Sequence, residues 1–197
     1  MSEIHLKSNE KTLVLGVNDM GKSVLFRHLI QQYLDAGVKV LLYDSERERK
    51  YASWEHPNLR IYRPEVAADK PEFDKISAEV WERRRMVFAV ESVDFYAQST
   101  DIDLKQVPNF KKIIHWGRNR GIGVLMTSRR PANVHKDCVG LNRHIFLFHC
   151  YLPNDIKYLR GFVGKIADQL KDLPPYYFYH WSGGKVELCN PIPFEGE

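Results

Sequence analysis

Residues 11–23 read KTLVLGVNDMGKS, and from Gly16 to Ser23 the spacing is G-x-x-x-x-G-K-S. Phosphate chemistry asks for these residue types in this order. Gly16 and Gly21 let the backbone curl so that successive N–H groups point inward at anionic oxygens. Lys22 adds a point charge for the β- and γ-phosphates, and the Ser23 hydroxyl is placed to ligate Mg2+. The predicted cradle comprises Gly16, Val17, Asn18, Asp19, Met20, Gly21, Lys22, Ser23 and Val24. Its flanks agree with that reading. TLVL (residues 12–15) has the length and apolarity of a buried strand, and Val24, Leu25, Leu29, Ile30, Tyr33 and Leu34 recur at helical spacing. Strand, glycine loop and helix together put phosphate on a helix N-terminus.

Bulk properties exclude several classes. The formal net charge is only +4 over 197 residues, so total charge does not select a partner. Cys138, Cys150 and Cys189 lie far apart with no C-x-x-C spacing, which predicts reduced thiols in a cytoplasmic setting rather than a disulfide scaffold or zinc site. The opening MSEIHLKS has no basic-then-apolar signal pattern, and no apolar run approaches the ~20 residues of a membrane span. We therefore expect a soluble chain without membrane insertion.

Outward from the loop, the pattern alternates. Residues 38–43 (VKVLLY), 59–62, 86–90 (MVFAV), 121–126 and 144–151 read as strands. Residues 71–85, 109–120 and 155–173 read as helices, the last with a break near Gly164. Residues 176–181 and 185–188 flank Ser-Gly-Gly as a terminal hairpin. Apolar strands alternating with helices predict an α/β fold, a mostly parallel sheet with helices on both faces, extended along one edge by the C-terminal hairpin. Residues 1–197 carry no repeat, low-complexity run or linker, which predicts one domain.

A triphosphatase of this kind needs a strand-end acid on the magnesium side, usually followed by a glutamate that polarises the attacking water. The segment that fits is VFAVESVD (residues 87–94). Aligned on its apolar run, Glu91 takes the magnesium position and Ser92 stands where the glutamate is expected. Ser23 and Glu91 are then the metal-side residues, with Asp94 or Glu91 as the base. Serine is no general base at neutral pH, so hydrolysis is slow or relies on a relocated carboxylate.

Between Lys111 and Lys136 there are seven lysines and arginines (Lys111, Lys112, Arg118, Arg120, Arg129, Arg130, Lys136) and no acid. Arg118 and Arg120 precede the strand at 122–126, and Arg129 and Arg130 follow it, so the two pairs emerge at opposite ends. The second pair lies at the C-terminal edge, where doubly wound sheets bind ligands.

WGRNRGIGVLMTSRRP (residues 116–131), followed by ANVHKD, resembles the FtsK–HerA superfamily of DNA-pumping ATPases, most nearly the compact genome-packaging ATPases of tailless double-stranded DNA viruses. With the P-loop and the acid strand, the resemblance spans about three quarters of the chain. It implies a P-loop NTPase fold of the RecA-like (ASCE) type and an ATPase using ATP and Mg2+. It also implies a homo-pentameric or hexameric ring around double-stranded DNA held by its phosphates, a capsid portal or vertex as a further partner, and the host cytoplasm as its place. Arg118 or Arg120 matches the finger that reaches a neighbouring subunit's nucleotide. Ser128 stands at the γ-phosphate sensor, usually a glutamine, and Arg129 matches a phosphate contact in cis. The basic cluster Arg47, Arg49 and Lys50 and the loop at 98–105 are candidate DNA loops. Two rival readings remain, a nucleotide-gated assembly or DNA-tethering protein and a small-molecule kinase, which leaves residues 116–137 unaccounted for.

Overall fold

The computed structural model describes residue 4 and residues 6–47 and 51–193. One eight-stranded sheet organises it, in the order β3-β2-β4-β5-β1-β6-β7-β8. Its strands are β1 (Lys11–Leu15), β2 (Val40–Tyr43), β3 (Leu59–Tyr62), β4 (Met86–Val90), β5 (Ile122–Ser128), β6 (His144–Leu147), β7 (Phe178–Ser182) and β8 (Lys185–Cys189). The first six in that spatial order run parallel, while β7 and β8 add antiparallel along the β6 edge. The α/β architecture with a terminal hairpin is thus as the sequence predicts.

Alternation within apolar strands builds two cores. Successive side chains point to opposite faces, so Leu13 and Leu15 enter one cluster and Val14 the other. On one face, α1 (Lys22–Asp35) lays Leu25, Phe26, Leu29 and Ile30 over Val14, Leu42, Ala89 and Leu125. On the other, α2 (Lys70–Arg83) and α3 (Pro108–Trp116) bring Phe73, Ile76, Val80, Phe110 and Ile113 onto Leu41, Phe88 and Val124. Strands β1, β4 and β5 are buried along almost their whole length, which is why they read as continuous apolar runs rather than alternating ones.

Differences from expectation have local causes. The predicted helix at 109–120 stops at Trp116, and Gly117–Arg120 form a tighter 3-10 turn. Gly121, with φ +72°, then reverses the chain into β5. Gly123 follows because the backbone before β1 crosses there, and a Cβ would lie 2.4 Å from the Ser8 carbonyl. The helix after β6 divides at Gly164 as expected, into α5 (Pro153–Val163) and a 3-10 run (Gly164–Asp172). The short α4 (Lys136–Gly140) carries no apolar period and went unpredicted. It starts where the His135 imidazole accepts the Asp137 N–H.

Candidate nucleotide-binding site

Six parallel strands end at one edge of the sheet, and the loop after β1 crosses that edge. It is stitched down by its backbone: Gly16 N donates to Ser128 O (3.3 Å) and Val17 N to His149 O (3.0 Å). Gly16 is required twice over, by φ +146° and because a Cβ would meet the Phe148 Cβ at 2.6 Å. Gly21 (φ +96°) then turns into α1 at Lys22. No side chain caps this helix, and its first turn carries no acid. Its first N–H groups therefore point outward with the positive end of the dipole, where an anion is favoured. Lys22 is only 8% exposed, and its ammonium donates to Val17 O at 2.5 Å, folded over the loop as it would fold over phosphate. Asn18 and Asp19 are exposed at the tip, and Met20, Ser23 and Val24 are half-buried.

Beside this loop lies an apolar cavity of about 350 Å3 lined by Val24, Phe148, Tyr176, Phe178 and Ile192. The sequence reading assigned Tyr176 to strand packing. Instead it stands before β7 with φ +70° and a half-exposed ring over Gly21. No spacing signal marks this wall, because it joins residues from α1, the end of β6, β7 and the chain beyond β8.

Glu91 follows β4 and is 4% exposed. The Tyr51 hydroxyl donates to its Oε1 at 3.0 Å, a contact from a residue the sequence reading passed over. Ser23 and Glu91 offer the hard oxygen donors that Mg2+ takes. Among the described residues no group of three or more His, Cys, Asp or Glu forms a cage of its own.

Ser92 adopts φ +51°, its N–H held by the Thr127 hydroxyl at 3.0 Å. Its own hydroxyl donates to Glu46 Oε1 at 2.8 Å, and Arg129 reaches the same oxygen at 2.5 Å. Glu46, on the turn after β2, is a site residue that sequence reasoning missed. Asp94 lies in the same cluster, 8% exposed. Burial pushes its carboxyl above the ordinary range and the Glu46 charge adds to that, while Ser128 and Arg129 pull the other way. Ser128 is fully buried and its hydroxyl accepts the Arg130 N–H at 3.1 Å, so its side chain caps its own turn. Arg130 pairs with Asp155 at 3.1 Å and ties the β5 end to α5.

Lys22, Glu91, Asp94, Ser128 and Arg129 therefore gather at the C-terminal edge of the strands. Arg118 and Arg120 do not join them, since they precede β5 at the far edge, as their spacing implied. Arg120 lies 4.2 Å over the Trp81 ring, whereas Arg118 is exposed. Of the candidate DNA loops, Arg47 donates to the Pro64 carbonyl (2.9 and 2.6 Å), and Arg49 and Lys50 lie outside the described residues. In the other loop, Asp103 is paired with Lys111 at 2.7 Å. A cavity of about 1000 Å3 at the N-terminal edge is instead lined by Lys39, Arg60, Arg83, Arg84 and Arg85.

No protein-family model and no curated protein matches the sequence. Solved structures do match. The genome packaging NTPase B204 from Sulfolobus turreted icosahedral virus 2, in complex with ATP-gammaS, superposes with a TM-score of 0.84 at 15% identity, over 95% of this chain and 100% of that one. EssC (ATPases 2 and 3) from Geobacillus thermodenitrificans gives 0.70 at 13% identity, over 96% of this chain and 41% of that one. VirB4 of Thermoanaerobacter pseudethanolicus gives 0.73 at 9% identity, over 94% and 90%. The chain has the P-loop fold that these structures share, in agreement with the resemblance carried by residues 116–137.

Proposed function

We propose that the chain is an ATPase that moves double-stranded DNA, acting as a homo-oligomeric ring, most nearly in the manner of a viral genome-packaging motor. The observation that carries the ATPase reading is the uncapped α1 N-terminus, with Lys22 folded over its loop, at the same sheet edge as the buried Glu91. The α1 N–H groups and Lys22 hold the β- and γ-phosphates, and the cavity beside Val24 and Tyr176 takes the base. Ser23 and Glu91 would hold magnesium, which supplies charge neutralisation on the phosphate oxygens. Arg129, one strand over, is placed to contact the γ-phosphate. The likeness to B204 and the basic cleft at Lys39, Arg84 and Arg85 support DNA as the polyanion, bound through its phosphates without base reading.

Measured with Mg2+, ATP turnover should rise on addition of double-stranded DNA. Lys22→Ala should abolish both binding and turnover, a loss of at least ~100-fold. A protein that binds ATP yet turns over none with any DNA or in any oligomeric state would refute the motor reading. Ser92 in the glutamate's place favours the second reading, a nucleotide-gated assembly protein, and that result would support it.

A further inference from the structure

We propose that Glu46 is the general base that activates the attacking water, with Ser92 as its positioning residue; this rests on the ATPase reading above. The sheet order supplies the argument. Strand β2 lies beside β4 with Tyr43 paired to Val90, so the turns after the two strands meet. Two bonds join them: Ser45 Oγ donates to Glu91 O and Ser92 Oγ to Glu46 Oε1, each at 2.8 Å. The residue at the base's sequence position is thus a donor, and what it holds is a carboxylate delivered from the next strand. The catalytic group has moved one strand across, while its place in space is kept by the serine.

Arg129 completes the arrangement. Its guanidinium binds Glu46 Oε1 at 2.5 Å and lies 5.8 Å from the Phe95 ring centre, so the carboxylate is held between the Ser92 hydroxyl and a cation. With Oε1 engaged by Ser92 and Arg129, Oε2 is the oxygen we assign to the water. The Glu46 side chain is 29% exposed, open to solvent, whereas the rival Asp94 is buried at 8%. In the step, a water proton passes to Glu46 Oε2 as the water oxygen bonds to the γ-phosphorus. The bond from that phosphorus to the β–γ bridging oxygen breaks, its electron pair leaving on ADP. Glu46 then returns the proton to the released phosphate.

The test uses the full chain with double-stranded DNA and the near-isosteric Glu46→Gln, with a thermal melt to confirm folding. Calorimetry should show ATP-gammaS bound with Mg2+ as in the parent, but the MgADP–aluminium fluoride complex, which requires the in-line water to be held, lost. Single-turnover hydrolysis should fall by ~10²–10⁴-fold. Ser92→Ala keeps the carboxylate but frees it, and should weaken the fluoride complex by about tenfold with ATP-gammaS binding unchanged. Glu46→Gln that forms the fluoride complex and turns over within about threefold of the parent, while Asp94→Asn does neither, overturns the assignment and gives the role to Asp94. A parent protein with no turnover overturns the ATPase reading and this inference together; an active parent beside an unimpaired Glu46→Gln overturns the inference alone.

Discussion

At the scale of single residues, the informative position is Ser92. Side-chain chemistry alone reads it as a lost catalytic group. The structure gives it a backbone φ of +51° and a bond to Glu46 instead. The two readings make opposite predictions about restoring the expected glutamate. If catalysis were simply missing, Ser92→Glu would raise turnover. With Glu46 in place, the new carboxylate meets an existing one across a bond of 2.8 Å, in a pocket that also holds the buried Asp94. Like charges at that distance repel and compete for Arg129. We therefore expect Ser92→Glu to lower turnover by about tenfold or more, and to lower the melting temperature, read in a steady-state assay and a thermal scan of the same preparation.

Elements carry the pH dependence. Strands β6 and β7 pair through stacked imidazoles, His144 Nδ1 and His180 Nε2 lying 2.9 Å apart, with His180 also stacked on Phe146 at 4.5 Å. Burial pushes His180 down to about 4, helped by the His144 charge and opposed by Glu187. Burial likewise lowers His144, against Glu10 at 3.1 Å and in step with Arg143. The fold therefore disfavours the charged form of each ring, whereas an unfolded histidine titrates near ~6.5. Between those values the unfolded chain binds more protons, so stability is complete above ~6.5 and is lost as pH falls toward 4. Thermal melts should therefore be flat above neutral pH and fall below it, and His180→Phe should flatten that acid slope.

The same elements show what was legible. Parallel strands buried on both faces announce themselves as apolar runs, so β1, β2, β4 and β5 and the P-loop between β1 and α1 were readable in place. Glu91 was readable because it ends such a run. Glu46 was not, because a carboxylate in the charged stretch DSERERK (residues 44–50) reads like any solvated loop, and only the β2–β4 pairing brings it to Ser92. Nor was the cavity at Tyr176, whose walls meet only when the hairpin folds back along β6.

For the whole molecule, the separation of charge across the sheet is the deciding feature. The phosphate loop lies at one edge, and Arg118 at the other, exposed in a depression of about 260 Å3 shared with Lys7, Glu10, Lys11 and Arg143. Burial, and after it the Arg118 charge, holds the Lys11 ammonium below its ordinary range, and the four cations face a single carboxylate, Glu10, which is engaged by His144 at 3.1 Å. Arg118 sits across the sheet from its own P-loop, but in a ring the far edge of one subunit can face the loop of the next, and a triphosphate there would supply Arg118 with an anionic partner. Arg120, committed to Trp81, is the poorer candidate. A trans finger makes a prediction no cis role makes. Arg118→Ala alone and Lys22→Ala alone should each lose DNA-stimulated turnover, by ~10³-fold for the finger, while Arg118→Ala still binds ATP. Mixing the two inactive proteins before assembly should restore activity, because some interfaces then pair an intact Lys22 with an intact Arg118. Titrated against subunit ratio, turnover should peak near equal mixing; a mixture as dead as its parts would place Arg118 outside the shared site.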